Sequence, residues 1–233
     1  YIGGGLLSRI ADLVPQELDS RDIFIVTDTN VQSYAGRVRD VLGQSARRVE
    51  VFTVEAGEHT KSFNQTERVC QWLLEHNVSR KSVLIAVGGG VVGDLTGFCA
   101  SIVMRGVPFI QIPTTLLAQV DASVGGKTAI NHEKAKNSIG AFYQPKAVIM
   151  DLATLETLPI REFRAGFGEV IKYAILEGGH FVSLLHQTLL HDVSSGQLNL
   201  DAYATLAKII AYCCQAKINY IQQDECEIGR AHV

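Results

Sequence analysis

Net charge is nearly absent from this chain: 21 Lys+Arg against 24 Asp+Glu leave −3 at neutral pH. No general field therefore draws it to nucleic acid or to a membrane surface, and any phosphate binding must come from local sites. Cysteine is scarce, with five in 233 residues, an odd number and no CxxC spacing. That is not a disulfide framework, and a reducing, cytoplasmic setting is expected. The seven histidines form no HExxH or similar metal pattern, and His186 and His191 lie too far apart to share a ligand on one helix face. No long apolar run is free of interruption. The most apolar stretch, residues 82–104, contains Asp94 and several glycines and is flanked by Lys81 and Arg105, which suits a buried α/β core and not a membrane span. Signal peptide, internal repeat and low-complexity tract are all missing. The chain opens on Tyr1-Ile2-Gly3-Gly4-Gly5 without an initiator methionine, so an N-terminal piece is expected to precede it.

What is present is an ordinary globular composition, 47% hydrophobic and 19% charged, enough for one large domain or one and a half. The first two-thirds alternates strand and helix patterns. Strands are predicted at Ile23–Thr27, Val49–Val54, Val83–Val87, Val107–Ile112 and Ala147–Met150. Helices are predicted over Val31–Leu42, from a Ser62 cap to Glu75 with Val69, Trp72 and Leu73 on one face, and from Val91 onward. This rhythm predicts an α/β domain with a mostly parallel, Rossmann-like sheet and helices on both faces. After Leu158-Pro159 only helical periodicity remains, over Arg161–Leu176, Phe181–His191 and Leu200–Gln223. The expected division is an α/β domain over 1–159 and the start of an all-helical domain over 160–226.

Two glycine-bearing stretches carry the chemistry. Gly88-x-Gly90-x-x-Gly93 follows an apolar strand and opens a helix, where free N–H groups and the helix dipole favour phosphate. It matches the dinucleotide fingerprint formally, but the next strand ends in Pro113-Thr114-Thr115 without the acid that should hold a ribose. Gly125-Gly126-Lys127-Thr128 resembles the end of a Walker A loop, yet Asp121 stands where such a loop needs glycine. Lys127 is a phosphate ligand or a solvated surface lysine, and both readings stand. In the helix from Arg161, Gly166 and Gly168 each cost about 1 kcal/mol against alanine, which suggests close approach by a ligand or another element. Glu169 and Lys172 are three apart beside the stripe Phe163, Phe167, Val170 and Ala174. They form either a surface pair or part of a site. Lys217 falls within the apolar stripe Leu206, Ile210, Cys213 and Ile221. It needs an anionic partner if buried, or it snorkels to the helix margin.

Taken together, these segments resemble the 3-dehydroquinate synthase family of sugar-phosphate cyclases. The match runs through GEHTKS (57–62), GGGVVGDLTGF (88–98), MRGVPFIQIPTTLLAQVDASVGGKT (104–128), KN (136–137), DLATLETLP (151–159), EFRAGFGEVIKYA (162–174) and KINYIQQDECE (217–227). The resemblance implies an α/β domain and a helical domain with the active site in the cleft between them. It also implies NAD, a divalent metal (zinc or cobalt), and a lyase of the shikimate pathway of aromatic amino acid biosynthesis. Such an enzyme converts the sugar-acid phosphate DAHP to 3-dehydroquinate and phosphate. By resemblance, Asp28, Asn30, Glu58 and Lys61 hold the adenosine end of NAD. Gly89, Gly90, Val91 and Asp94, with Thr114, Thr115, Thr154, Leu155, Glu156 and Thr157, hold its pyrophosphate and nicotinamide half. Asp121, Lys127, Lys136 and Asn137 line dinucleotide and substrate, with Lys127 and Asn137 near the substrate phosphate. Glu169 is implied as a metal ligand, Lys172 as a substrate contact and Lys217 as partner of the substrate carboxylate. Arg105 matches an arginine that reaches a neighbouring subunit's site, which implies a homodimer. Other sugar-phosphate cyclases, metal-dependent polyol dehydrogenases and a catalytically dead NAD-binding module are the alternatives.

Past the DECE segment the family pattern calls for an ExGxR turn and two histidine metal ligands. This chain has Ala231 at the arginine's place, and His232 matches neither histidine. The residues 227–233, EIGRAHV, read as one translation frame of a sequencing adapter, so a non-native tail and an inactive fragment of an active parent are the expectation.

Overall fold

The computed structural model describes residues 1–15, 21–189 and 200–223. The expected tail at 227–233, His232, and the helix end expected at His191 lie outside the described residues. The elements in chain order are β1 (Ile2–Gly3), β2 (Asp22–Asp28), α1 (Gln32–Leu42), β3 (Arg48–Val54), α2 (Phe63–Glu75) and β4 (Val83–Gly88), then α3 (Gly90–Ile102), β5 (Phe109–Pro113), β6 (Lys127–His132), β7 (Ala135–Phe142), β8 (Ala147–Val148) and β9 (Met150–Asp151), and last α4 (Ile160–Glu177), α5 (Gly179–Leu189) and α6 (Leu200–Gln223).

Five strands form the main sheet in the order β3-β2-β4-β5-β8, every neighbouring pair parallel. Strand alternation sends Phe24, Val26, Leu84 and Ala86 to one face, against Val69 and Leu73 of α2 and Val92 and Leu95 of α3. Ile23, Ile25, Val83, Ile85 and Val87 go to the other, against Tyr34, Ala35 and Val38 of α1 and the 3-10 helix Leu6–Asp12. Both faces are covered, which is why these strands read as unbroken apolar runs. Ser62 caps α2 as expected, its hydroxyl accepting from the Gln65 N–H at 3.3 Å. A third core joins α4, α5 and α6 to Leu116, Val120, Leu152 and Leu155.

Three local expectations change. The fourth strand begins at Phe109 and not Val107, because the Val107 N–H goes to the Ala100 carbonyl at 2.9 Å and Pro108 has no N–H to give. The stretch expected as a single strand at Ala147–Met150 divides. β8 pairs with β5, the Ile149 N–H then binds the Gln111 carbonyl at 2.8 Å, and β9 pairs instead with the N-terminal β1. Finally, β6 and β7 form an antiparallel hairpin between β5 and β8 that the sequence reading did not name. Its signal was weak: Thr128 and Ile130 alternate inward, while β7 is mostly exposed.

The two helix glycines part company. A Cβ on Gly166 would stand 2.5 Å from the Leu117 nitrogen, so α4 lies directly on that backbone. A Cβ on Gly168 would meet nothing within 4 Å, so none of the described elements approaches there.

Candidate functional site

The sheet order contains a reversal. From β2 the chain moves to β3 on one side, then crosses back to β4 on the other. Ligands of open α/β sheets bind outside the carboxyl ends of the strands at such a reversal. Asp28 closes β2 and Gly88 closes β4, so they flank this crevice. Burial raises the Asp28 pKa above the usual carboxylate value, against the Asn30 and Val31 N–H groups that lower it. Gly89 stands at the N-cap of α3 and offers no side chain to the first-turn N–H groups. Next door, Thr114 closes on the Gly88 carbonyl through its N–H at 2.9 Å, and its buried hydroxyl has no hydrogen-bond partner among the described residues. Cβ atoms on Gly89 and Gly90 would lie 3.1 Å from Thr115 Cγ2 and 3.3 Å from Ala122 Cβ, tight contacts that leave little room for side chains here. Uncapped N–H groups, an orphaned hydroxyl and a glycine-lined crevice fit a phosphate-bearing nucleotide.

Beside this crevice two buried lysines are each held by a carboxylate. Lys61 is 4% exposed, and its Nζ donates to Asp94 Oδ2 at 2.6 Å and to Asn137 Oδ1. Asp94, one turn into α3, has its pKa raised by burial, with Lys61 opposing the rise. Lys217 of α6 donates to the Asp121 carbonyl at 2.7 Å and lies 3.0 Å from Asp121 Oδ1. That is the anionic partner a lysine on a core-facing stripe requires. Asp94, Asp121, Lys127, Asn137 and Lys217 all line one cavity of about 360 Å³, walled also by β6 and β7. The hairpin is what carries Lys127 and Asn137 there. Asn137 has φ 52°, and its N–H binds Asn131 Oδ1 at 2.8 Å. Glu58, in the 3-10 turn after β3, accepts from Asn131 Nδ2 at 2.7 Å. Asn30 is exposed and turns back on Asp28 Oδ1 at 2.8 Å, while Lys136 is exposed on β7.

Other candidates stand apart from the cavity wall. Thr154 and Leu155 are buried in the 3-10 helix Leu152–Thr157, where Thr157 Oγ1 meets the Tyr34 hydroxyl at 2.9 Å and Glu156 accepts from Tyr203. Glu169 and Lys172 form an ion pair on α4. Arg105 is exposed at the opposite end of α3 from the glycine turn, with φ 63° following Met104 at φ 51°. Among the described residues no three His, Cys, Asp or Glu gather into a metal site, and Glu169 Oε2 sits against an ammonium. The described donors by themselves therefore do not fit a divalent metal.

Sequence reasoning missed three residues that organise this region. Gln119, fully buried, donates to the Pro113 carbonyl at 3.0 Å and so fixes the turn after β5. Asn131 ties Glu58 to Asn137. Tyr173 of α4 donates to Asp121 Oδ1 at 3.2 Å. Only the period of α4, which puts Tyr173 on its buried face with Val170, hinted at the last.

Fold and site define an α/β protein with a cleft outside the carboxyl ends of a parallel sheet and a helical segment against it. The sequence profile of the 3-dehydroquinate synthase N-terminal region matches residues 51–165, and that of its C-terminal region matches residues 166–233. The chain belongs to the 3-dehydroquinate synthase family. It is 46% identical over 230 residues to the 3-dehydroquinate synthase of Desulforamulus reducens and 48% identical to that of Shewanella loihica, covering 98% of this chain and 62% of each relative. The chain thus spans about three-fifths of the length of these curated relatives. Among solved structures it resembles a 2-deoxy-scyllo-inosose synthase complexed with carbaglucose-6-phosphate, NAD+ and Co2+ (TM-score 0.82, 25% identity, 97% of this chain and 60% of that one). A 2-epi-5-epi-valiolone synthase from Streptomyces hygroscopicus with NAD+ and Zn2+ bound is equally similar (TM-score 0.81, 25% identity, 98% and 62%). Glycerol dehydrogenase from Schizosaccharomyces pombe shares the fold alone (TM-score 0.67, 17% identity, 92% and 59%). Among the described residues no helix is long and apolar enough to cross a membrane.

Proposed function

We propose that the protein carrying this chain is a 3-dehydroquinate synthase, which converts DAHP to 3-dehydroquinate and phosphate in the cytoplasm, with NAD and a divalent metal. Family membership at 46–48% identity supports this reading. The observation that carries it is the meeting of Asp94, Asp121, Lys127, Asn137 and Lys217 around one cavity next to the uncapped glycine turn, with Lys61 bonded to Asp94 and Asn137. NAD, when bound, would accept a hydride from the substrate alcohol and return it later in the same cycle.

The chain's own groups would position charge. The α3 N-terminus at Gly89, Gly90 and Val91, with Thr114 and Thr115, would take the pyrophosphate. Asp28, Asn30, Glu58 and Lys61 would hold the adenosine end, and Asp94 and the Thr154–Thr157 segment the nicotinamide half. Lys127, Lys136 and Asn137 would face the substrate phosphate, with Lys172 and Lys217 toward its other oxygens. Glu169 would be one metal ligand, completed by groups beyond the described residues. The 233-residue chain alone would then turn over poorly. Residues 1–159 would act as the nucleotide-binding domain, residues 160–226 as the start of the helical one, and Arg105 would reach across a homodimer.

The test is phosphate release from DAHP by the full-length gene product without net NADH. Calorimetric titration of NAD into the 233-residue chain tests the nucleotide half separately. Turnover of sedoheptulose 7-phosphate in place of DAHP would move the protein to another cyclase, and steady NADH production would make it a polyol dehydrogenase.

A further inference from the structure

We infer that Tyr173 is a positioning residue of the anionic-substrate site, placing two ammonium groups at once: Lys172 through its ring face and Lys217 through Asp121. The inference rests on the reading that this cleft takes an anionic substrate beside NAD. Tyr173 is 3% exposed on α4. Its hydroxyl donates to Asp121 Oδ1 at 3.2 Å, and the same oxygen lies 3.0 Å from Lys217 Nζ. The Lys172 Nζ, ion-paired to Glu169 on its own helix, also stands over the Tyr173 ring, 4.7 Å from its centroid. One side chain thereby joins three segments: α4, the turn at Ala118–Ala122 and α6.

The spacing is set from below. Gly166 lies two helical turns before Tyr173 on the same face of α4, and there the helix rests directly on the Leu116–Leu117 backbone. That contact fixes how far the phenol reaches toward Asp121. Burial, then the Asp121 charge, push the phenol's pKa up, which favours the protonated hydroxyl that donates to Asp121. A residue that merely filled the core would need neither the hydroxyl nor the cation over its ring. A phenylalanine would pack as well.

The experiment compares Tyr173→Phe, Tyr173→Leu and Asp121→Asn in the full-length protein, reading KM for DAHP, the NAD dissociation constant and the thermal midpoint. A hydrogen bond to a charged group contributes about 1.5–3 kcal/mol. Tyr173→Phe should therefore raise KM for DAHP roughly tenfold to hundredfold, with a clearly smaller loss of NAD affinity, since Asp121 borders the dinucleotide as well. Tyr173→Leu also removes the cation–π contact and should raise KM a further twofold or more. In a double-mutant cycle, Asp121→Asn should absorb most of the Tyr173→Phe effect, because the phenol acts through that carboxylate.

Wild-type KM in Tyr173→Phe, equal losses for NAD and DAHP, or strict additivity with Asp121→Asn would overturn the inference. Should Tyr173→Phe fail to fold, Asp121→Asn alone decides: it must raise the same KM, and an unchanged value there overturns the inference. Absence of DAHP turnover in the wild-type protein would instead be a failure of the proposed function.

Discussion

Replacing Lys61 by methionine keeps an apolar stem out to Cε and deletes the ammonium that Asp94 and Asn137 share. Truncating one partner of a buried ion pair costs about 3–5 kcal/mol, because the other charge is left desolvated. The Lys61 side chain is 4% exposed and that of Asp94 is 19% exposed, so Asp94 retains some water and can take up a proton. The low end applies, about 3 kcal/mol at pH 7, or about 6–12 °C in Tm for a chain of this size. The pH dependence has a definite sign. The Asp94 pKa is already raised by burial while Lys61 opposes the rise, so deleting Lys61 raises it further. A carboxyl with a raised folded pKa favours the folded state when protonated, and that contribution is lost as pH climbs from the unfolded value through the folded one. The loss in Lys61→Met should therefore be greatest at neutral pH and shrink as pH falls through the variant's Asp94 pKa. Urea unfolding at pH 7 and near pH 5 reads both quantities. Adding Asp94→Asn removes the stranded charge and should restore at least about half of the loss. A loss below about 1 kcal/mol at pH 7, or no recovery in the double variant, would refute the reasoning.

Gly166→Ala and Gly168→Ala should move stability in opposite directions, though both improve helix propensity. At Gly166 the new Cβ meets immovable backbone, and overpacking of about 1–3 kcal/mol outweighs the propensity gain of about 1 kcal/mol. At Gly168 nothing opposes that gain; paired urea titrations would expose a common sign. Cys70 should be the first of Cys70, Cys99, Cys213 and Cys214 to take up iodoacetamide. It is half-buried with its pKa lowered by a hydrogen bond from Cys99, while the other three are buried with raised pKa values. Peptide mapping after brief labelling checks this, and faster labelling of Cys213 or Cys214 would contradict the packing of α6.

Much of the α/β framework was legible along the chain because a strand buried on both faces has to be apolar throughout. Val83–Val87 and Ile23–Thr27 announce themselves in that way, and the glycine turn after β4 declares itself by composition. Exposed elements leave a fainter mark. β7 buries little, so the hairpin that delivers Lys127 and Asn137 to the cavity was not recognised. The division of Ala147–Asp151 between two sheets depends on Ile2 and Gly3 pairing with Met150 and Asp151, far away along the chain.

The linear order of residues specified the parallel α/β core, the helical stretch after Pro159 and the local chemistry of the glycine turns, because these follow from short-range periodicity and residue size. It also marked Lys217 as needing a counter-charge. Which group answers that need was decided only in three dimensions. Asp121, Tyr173 and Lys217 come from three segments, and their meeting depends on how closely α4 settles onto the turn after β5. That distance is a property of packing, and no spacing along the chain encodes it.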